Sequence, residues 1–486
     1  MNRIVAWCCL LVLSGCMVGP DYRKPAMTVP PGFKEAKGWV KATPADAAPK
    51  GDWWTQFGDQ DLDRLEPLVA VNNQTLAADY AAYEQATEIV QEERGGLFPT
   101  IGLTGSATRA GEGSGGTTGV TGGTGFSSGP RTSGTFEGSA DWTPDIWGKI
   151  RRQVESDVAA AQVSAADLAN ATLSEQALLA ADYIDLRTAD ATITLYQQTV
   201  AAYRKSLRIT QNQYDAGVAA QSDVITAQTQ LDGAEANLIS AGETRAQYEH
   251  AIAVLVGHAP ADLTIPPGVL MTNVPVAPPG VPSLLLQRRP DVAAAERAMA
   301  EENALIGVAV GAYYPDLSLS ALGGYSADPI GGLFSVSNAL WSLGADATEN
   351  VFAGGTRSAA VKAAQFGYEE SVANYRQTVL TAFQDVETDL SNLRILAEQA
   401  QAETAAVNDA TRAVQIALNE YEAGTQAYTA VVTAQVTLLG DQQAALAVQQ
   451  NRLLSSVALF EDLGGGFTES SLPSAGVLQA RLPFLQ

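Results

Sequence analysis

Residues 193–217 read ITLYQQTVAAYRKSLRITQNQYDAG, in which Ile193, Tyr196, Val200, Tyr203, Leu207, Thr210 and Tyr214 recur at spacings of 3, 4, 3, 4, 3 and 4. A mean period of 3.5 is that of a coiled-coil seam, because a helix slightly under-wound to that period keeps its stripe against one partner. Upstream, neither proline nor any clear stop interrupts the chain from Asp145 to Tyr214. About seventy residues rising 1.5 Å each make a rod of roughly 100 Å. Gly217 then stands where a left-handed cap is needed, a new helical pattern begins within about five residues, and Ser222 is a natural N-cap. The chain therefore turns back on itself as a long antiparallel helical hairpin.

The same unit is written twice. Tyr214-Asp215-Ala216-Gly217 recurs as Tyr421-Glu422-Ala423-Gly424, and Val224-Ile225-Thr226-Ala227-Gln228 as Val431-Val432-Thr433-Ala434-Gln435, both at an offset of 207. Leu255-Val256-Gly257 is echoed at that offset by Asp462-Leu463-Gly464. The second seam runs Val372, Tyr375, Val379, Phe383, Val386, Leu390 and Leu393, with Thr429 as the matching N-cap. Three echoes in register imply duplication.

Ahead of each long helix the period falls to two. Ile101, Leu103, Gly105 and Ala107 alternate with polar or small residues, as do Gly134, Phe136, Gly138, Ala140 and Trp142. In the second half Leu317, Leu319, Ala321, Gly323 and Tyr325 alternate, followed by Trp341, Leu343, Ala345 and Ala347. These are four strands in two hairpins. The fold class is mostly α with a small β part. It divides into a signal (1–15), an extended segment (16–55), a first repeat (56–257), a connector with seven prolines (258–282), a second repeat (283–464) and a tail (465–486). The first repeat holds a hairpin near 98–144, a long helix over 145–214 and a return helix over 222–257. The second holds a hairpin near 314–348, a long helix over 350–422 and a return helix over 429–463.

The chain has 486 residues and a net charge of −24, with 46% hydrophobic and 17% charged residues. Such acidity opposes the phosphate attraction on which nucleic-acid binding depends, so no nucleic-acid partner is expected. Arg3 and the apolar run from Ile4 to Leu13 form an export signal too short to span a bilayer. The run ends in Leu13-Ser14-Gly15-Cys16, a bacterial lipobox that directs cleavage before Cys16 and acylation of that residue. Met17 follows where an Asp would be the usual inner-membrane retention cue, so the expected destination is the outer membrane. Two or three acyl chains, at about 0.8 kcal/mol per buried methylene, give a stable anchor. The covalent lipid on Cys16 is the only non-protein group expected, and neither a disulfide nor a thiol metal site fits one modified cysteine.

Beyond the signal, no run of eighteen apolar residues exists, which leaves a closed β-barrel as the only way to cross a bilayer. Four strands cannot close on themselves and outer-membrane barrels need at least about eight, so the barrel must be shared between chains. Phe98, Trp142, Trp147, Tyr313, Tyr314, Trp341 and Phe352 cluster at strand ends, as an interfacial girdle requires.

Cys16-Met17-Val18-Gly19-Pro20-Asp21-Tyr22 with Pro25, Trp53-Trp54 with Phe57, Arg289-Pro290-Asp291-Val292 with Ala295-Glu296, and Ile306-Gly307 before Tyr314-Pro315-Asp316-Leu317 together resemble the outer-membrane efflux lipoproteins of the TolC, OprM and NodT type. The resemblance covers nearly the whole mature chain. It implies a homotrimer whose twelve-stranded barrel, four strands per chain, continues into an α-barrel tunnel of long antiparallel coiled-coil helices across the periplasm. It also implies a periplasmic adaptor and an inner-membrane pump of the RND type as partners, with the channel itself passive. The expected function is the exit duct of a tripartite efflux pump for drugs or other toxic small molecules. A duct for exported protein or for heavy metals shares this architecture, and a lipid-anchored coiled-coil spacer is the rival from another class. A spacer has no need of alternating strands with aromatic ends.

In that family the helical turns form the periplasmic tip. Gly217-Val218 and Gly424-Thr425 match its adaptor-docking motif, although glycine there also serves simple capping. Tyr421 and the pair Ser222-Asp223 match positions at the closed aperture, where Asp223 also suits a helix first turn. Gln426 stands where some members carry Arg, and Ala430 and Thr433 where some carry Asp, which implies a weaker latch or one made by other contacts.

No enzyme reading survives. Gly125-Phe126-Ser127-Ser128-Gly129 fits the serine-hydrolase pattern and Gly111 to Gly116 the dinucleotide pattern, but both lie in a Gly/Thr/Ser loop without the strand and helix each motif needs. His250 and His258 are the only histidines, a poor supply for general-base or metal chemistry.

Overall fold

The computed structural model describes residues 17–36, 52–111, 130–275 and 288–480. Its elements are α1 (Gln60–Asn72), α2 (Gln74–Gly95), β1 (Thr100–Ala110), β2 (Arg131–Trp142), α3 (Lys149–Asp215) and α4 (Gln221–Leu255). The second half supplies α5 (Pro290–Gly311), β3 (Asp316–Ala327), β4 (Ala339–Thr348), α6 (Thr356–Glu422), α7 (Tyr428–Asp462) and a short α8 (Ala475–Gln479). The duplication is faithful in length: α2 and α5 have 22 residues each, α3 and α6 have 67, and α4 and α7 have 35. Gln74 and Pro290 lie 216 residues apart and Lys149 and Thr356 207 apart, so the nine extra residues of the first half fall between α2 and α3, the stretch that holds its hairpin.

The rods start where backbone geometry lets them. Gly148, at φ +78°, precedes α3, and Gly354 and Gly355, at +57° and +86°, precede α6. Asp145 and Asn350 thus lie outside the long helices, not within them as periodicity suggested. Asp145 instead accepts the amides of Ile150 and Arg151 at 3.1 and 3.0 Å. At the far end the N-caps of α4 and α7 are Ala220 and Ala427, which corrects Ser222 and Thr429. The Asp223 and Ala430 amides already bond the Ala220 and Ala427 carbonyls, which draws the helix start upstream of both hydroxyls. The Ser222 and Thr429 carbonyls accept the Thr226 and Thr433 hydroxyls one turn on.

Helix α3 packs along α4, α5, α2 and α7, and α6 along α7 and α5. The seam expected on α6 is buried from Tyr375 to Leu393; on α3, Val200, Tyr203 and Thr210 are buried. The large side chains gather at mid-height, where α1, the middle of α3 and the ends of α4 and α7 converge. There Trp53 stacks on Phe460 at 5.6 Å and meets Phe57 edge-on, beside Leu62, Leu65, Tyr183, Met299 and Leu390. Glu66 lies in this region fully buried with neither carboxylate oxygen partnered among the described residues, and desolvation pushes it up to about 9. Toward the turns the core thins to Ala227, Ala417, Tyr421, Tyr428 and Val431.

After Gly464, residues 465–480 fold back onto the rods. Leu478 of α8 is buried against Val90 of α2 and Val154 and Val158 of α3, and Gln91 donates to its carbonyl at 2.6 Å.

Candidate functional site: a two-faced sheet on a helical duct

The four strands form one antiparallel sheet in the order β1-β2-β3-β4, with the central β2–β3 pairing joining the two repeats. Its register sorts the side chains, since residues directly opposite each other share a face. Ile101, Ala140, Ala321 and Leu343 form one row, and Leu103, Gly138, Gly323 and Trp341 the next. Continuing by twos, one face carries Phe136, Trp142, Leu317, Leu319, Tyr325, Ala345 and Ala347, and its only charged residue is Arg109 near the outer end. The other face carries Thr104, Ser106, Thr135, Ser139, Ser318, Ser320 and Ser342 with Glu137, Asp141, Asp316, Asp346 and Arg131; Leu322 and Leu340 are its large apolar exceptions. On the apolar face Ile101, Leu103, Trp341 and Leu343 are strongly exposed, Leu343 by 76%, while Leu317, Leu319 and Tyr325 are half-buried. An apolar band facing outward and a polar face turned inward is the division a membrane barrel needs. Among the described residues no helix is long and apolar enough to cross a membrane.

Aromatic side chains mark both ends of the sheet. At the helix-proximal end Trp147 stacks on Tyr314 at 4.8 Å, the Trp147 indole donates to Pro315 O, and the Trp142 indole donates to Leu97 O. Phe98, Tyr313 and Phe352 are exposed on the same side. Trp341, expected in one girdle with these, instead sits toward the outer end of β4 opposite Gly323. The outer loop folds back there, with Phe334 edge-on to Phe136 and Tyr325 at 5.6 Å each.

Beside the inner belt runs an extended strap, residues 17–36. Met17 fills the space left by Gly148, where a Cβ would come within 2.8 Å of it. Arg152, 1% exposed, clamps the strap through Val18 O, Gly19 O and Asp21 while pairing with Glu155. Gly19 and Gly307 touch so closely that a Cβ on Gly19 would lie 2.4 Å from the Gly307 Cα. Farther along, Tyr22 donates to Glu296 at 2.6 Å, and the Lys34 and Glu35 amides both donate to the Glu387 carboxylate. Cys16 and the signal lie outside the described residues, as do the two decoy glycine motifs apart from Gly111.

The opposite pole is formed by two matching turns. Gly217 at φ +74° and Gly424 at +73° close them, with Val218 N bonding Gln213 O and Thr425 N bonding Glu420 O. That 6→1 bond with a left-handed glycine is the Schellman cap. Val218, Thr425 and Ser222 are exposed and Asp223 is half-buried. Tyr421, by contrast, is only 5% exposed, packed on Tyr428 at 5.2 Å, and its carbonyl accepts from Gln213 of the first hairpin. Burial and the Asp223 charge raise its phenol. Gln435 donates to Ser206, a second link between the hairpins. Tyr421 thus lies in the seam between the turns, with Ser222 and Asp223 on the surface beside it.

Residues 67–258 and 281–465 match the profile of the outer membrane efflux protein family. The chain belongs to the outer membrane efflux protein family. Over 469 residues, 95% of this chain and 94% of the other, it is 30% identical to the probable efflux pump outer membrane protein TtgC of Pseudomonas putida. It is similar in structure to the outer-membrane channel OprN, with a TM-score of 0.80 and 27% identity, covering 93% of this chain and 99% of that one. The Campylobacter jejuni outer membrane channel CmeC shares the fold at a TM-score of 0.85 and 22% identity, covering 95% and 97%. For an outer membrane efflux protein the two-faced sheet is the part that lies in the outer membrane, and the helical hairpins extend into the periplasm.

Two features of this outer membrane efflux protein escaped the sequence. One is the Arg152 clamp. The other centres on Arg187, which is buried at mid-height and donates to Tyr183 Oη at 2.7 Å, Asp190 at 3.1 Å, Asp61 at 3.0 Å and Pro266 O at 2.7 Å. Arg245 reaches Asp190 at 2.7 Å and Ile265 O at 2.6 Å, so the proline-rich connector is fastened to α3 and α4. The one available signal was a charge on an apolar stripe, Arg187 standing one turn after Tyr183.

Proposed function

We propose that three copies of this chain close a twelve-stranded barrel and that the trimer is the passive exit duct of a tripartite efflux pump for toxic small molecules. The observation that carries this reading is a sheet apolar on one face and polar on the other, open at both edge strands. It stands on paired rods about 100 Å long. Among the described residues β1 and β4 each pair on one side only, and an unpaired strand edge in lipid is untenable, so β4 of one copy meets β1 of the next.

The lipid on Cys16 completes the attachment. Met17 rests against Gly148 beside the Trp147–Tyr314 belt, which supports acyl chains entering the membrane at the base of the barrel. Gly217, Val218, Gly424 and Thr425 present the surface for a periplasmic adaptor, which links the duct to an inner-membrane pump of the RND type. Ser222, Asp223 and Tyr421 shape the aperture. The solute passes unchanged, and no residue is assigned a catalytic role.

Purified protein reconstituted in planar bilayers should give discrete single-channel conductances. A protein that assembles into heat-resistant trimers yet opens no pores would sink this reading.

A further inference from the structure

The internal duplication supplies a template for the contact between copies. Within the chain the second repeat sits beside the first: β3 pairs with β2, and α5 and α7 both pack along α3. Register is kept throughout. α2 and α5 lie 216 residues apart, and α3 and α6, like α4 and α7, lie 207 apart. The strands keep the same two offsets, since Thr100 faces Asp141 in the first hairpin and Asp316 faces Thr348 in the second. Toward the sheet, Ala166 of α3 is buried in one cluster with Ala293 and Ala294 of α5; at mid-height, Gln450 of α7 donates to Asp185 of α3 at 2.6 Å.

Shifted by one repeat, these positions are Ala373 of α6, Ala77 and Ala78 of α2, Asn392 of α6 and Glu243 of α4. The three alanines recur, and the amide and the carboxylate recur with their places exchanged. The internal set is buried or half-buried, whereas all five counterparts are exposed. We propose that β4 and α6 of one copy receive β1, α2 and α4 of the next as β2 and α3 receive the second repeat, with Ala77 and Ala78 packed on Ala373 and Asn392 donating to Glu243. This seam rests on the trimeric reading above and gives it a register. Small side chains at the crossing let two helices approach closely, and a head-to-tail contact between unlike faces generates a ring when its rotation closes.

Toward the turns the correspondence lapses. Gln213, which donates to Tyr421 O, maps to Glu420 opposite Tyr214 O, and the Gln435–Ser206 bond maps to Gln228 against Ala413. Neither mapped pair can bond, because a carboxylate and a carbonyl are both acceptors and alanine offers no polar atom. The tips are thus tied within a copy by bonds that the seam between copies lacks.

The test introduces cysteines into the full chain in its native membrane. Ala78→Cys/Ala373→Cys should give disulfide-linked dimers and trimers on mild oxidation, and neither single variant should. Ala78→Cys/Asn374→Cys should link far less, because Asp167, the counterpart of Asn374, stays exposed beside the internal seam. Conducting, heat-resistant trimers in which the first pair stays unlinked overturn this seam and leave the duct standing, whereas wild-type protein that forms no trimer overturns both. Should the cysteines prevent assembly, a charge exchange decides. Asn392→Asp sets a second carboxylate against Glu243 and should lower the yield of heat-resistant trimer several-fold. Adding Glu243→Gln should restore the yield, because an amide again faces a carboxylate as in Gln450–Asp185. Asn392→Asp without loss, or a loss that Glu243→Gln does not mend, overturns the proposal.

Discussion

Leu343 and Ser342 are neighbours in the chain and face opposite ways, which makes an arginine at each a sharp test of the sheet's orientation. β4 has ten residues. At about 3.4 Å per residue and a tilt near 45° it rises roughly 24 Å, close to the apolar height of an outer-membrane barrel. Leu343 lies half-way along it, in the row Ile101–Ala140–Ala321–Leu343, and so at the bilayer midplane. Arginine there costs about 2–4 kcal/mol per chain, which is about 30- to 900-fold in the folding equilibrium, and a trimer incurs it three times. Ser342→Arg faces the pore, keeps its charge in water and should cost close to nothing. The assay is the yield of heat-resistant trimer in outer-membrane fractions, with urea unfolding in lipid vesicles giving the free energy. Equal assembly of the two variants, or failure of Ser342→Arg alone, would falsify the assignment of faces.

Alanine at two glycines separates backbone strain from close packing. Gly217 has a left-handed φ and open space around it, so Gly217→Ala should lower stability by only about 1–2 kcal/mol. Gly257 also has φ +72°, but its Cβ would lie 2.3 Å from Asn72 O, so Gly257→Ala should lower the unfolding midpoint far more in the same measurement. Arg152→Ala removes the clamp on residues 18–21 and should cost about 2 kcal/mol, less than a fully buried pair because Asp21 is open to water. Limited proteolysis should then cut the strap ahead of the rods; a strap as resistant as in the wild type would count against the clamp. The polar face carries Glu137, Asp141, Asp316 and Asp346 against Arg131, so reversal potentials in a salt gradient should show cation preference, weakened in Glu137→Gln/Asp141→Asn/Asp346→Asn. Anion preference in the wild type would contradict that inward orientation.

Much of this architecture was legible because it rests on short-range periodicity. The 3.5-residue stripe through Val200 and Tyr203, its echo through Tyr375 and Leu390, and the two-residue alternation of Ile101 and Leu103 each report a face turned to one environment. The caps were misplaced by two residues because Ser222 and Thr429 have the right chemistry for a site that the Ala220 and Ala427 backbone already fills. Trp341 was grouped with the wrong belt because alternation fixes a face and not a height. The arginine clamps could not be read at all. Arg152 meets Val18 and Asp21 across more than 130 residues of chain, and Arg187 meets a proline carbonyl in the connector; no spacing rule reaches that far. Tyr421 falls between these cases, placed at the right end of the rods by the repeat and buried in the seam by Tyr428 and Gln213.

The uneven distribution of bulk along the rods has a mechanical meaning. The largest core cluster, with Trp53, Trp54 and Phe460, lies around Tyr183, and from there α3 runs on to Asp215, roughly 48 Å at 1.5 Å per residue, past two smaller clusters around Tyr203 and Tyr421. A stiff hairpin gripped at one level and lightly packed beyond it is a lever with its fulcrum at the grip. A rotation of about 5° at mid-height carries the turns through roughly 4 Å by the geometry of a rod that long. The cross-links from Gln213 and Gln435 need only resist that small angle to hold the far end in place, and losing them would convert a slight tilt into a wide displacement.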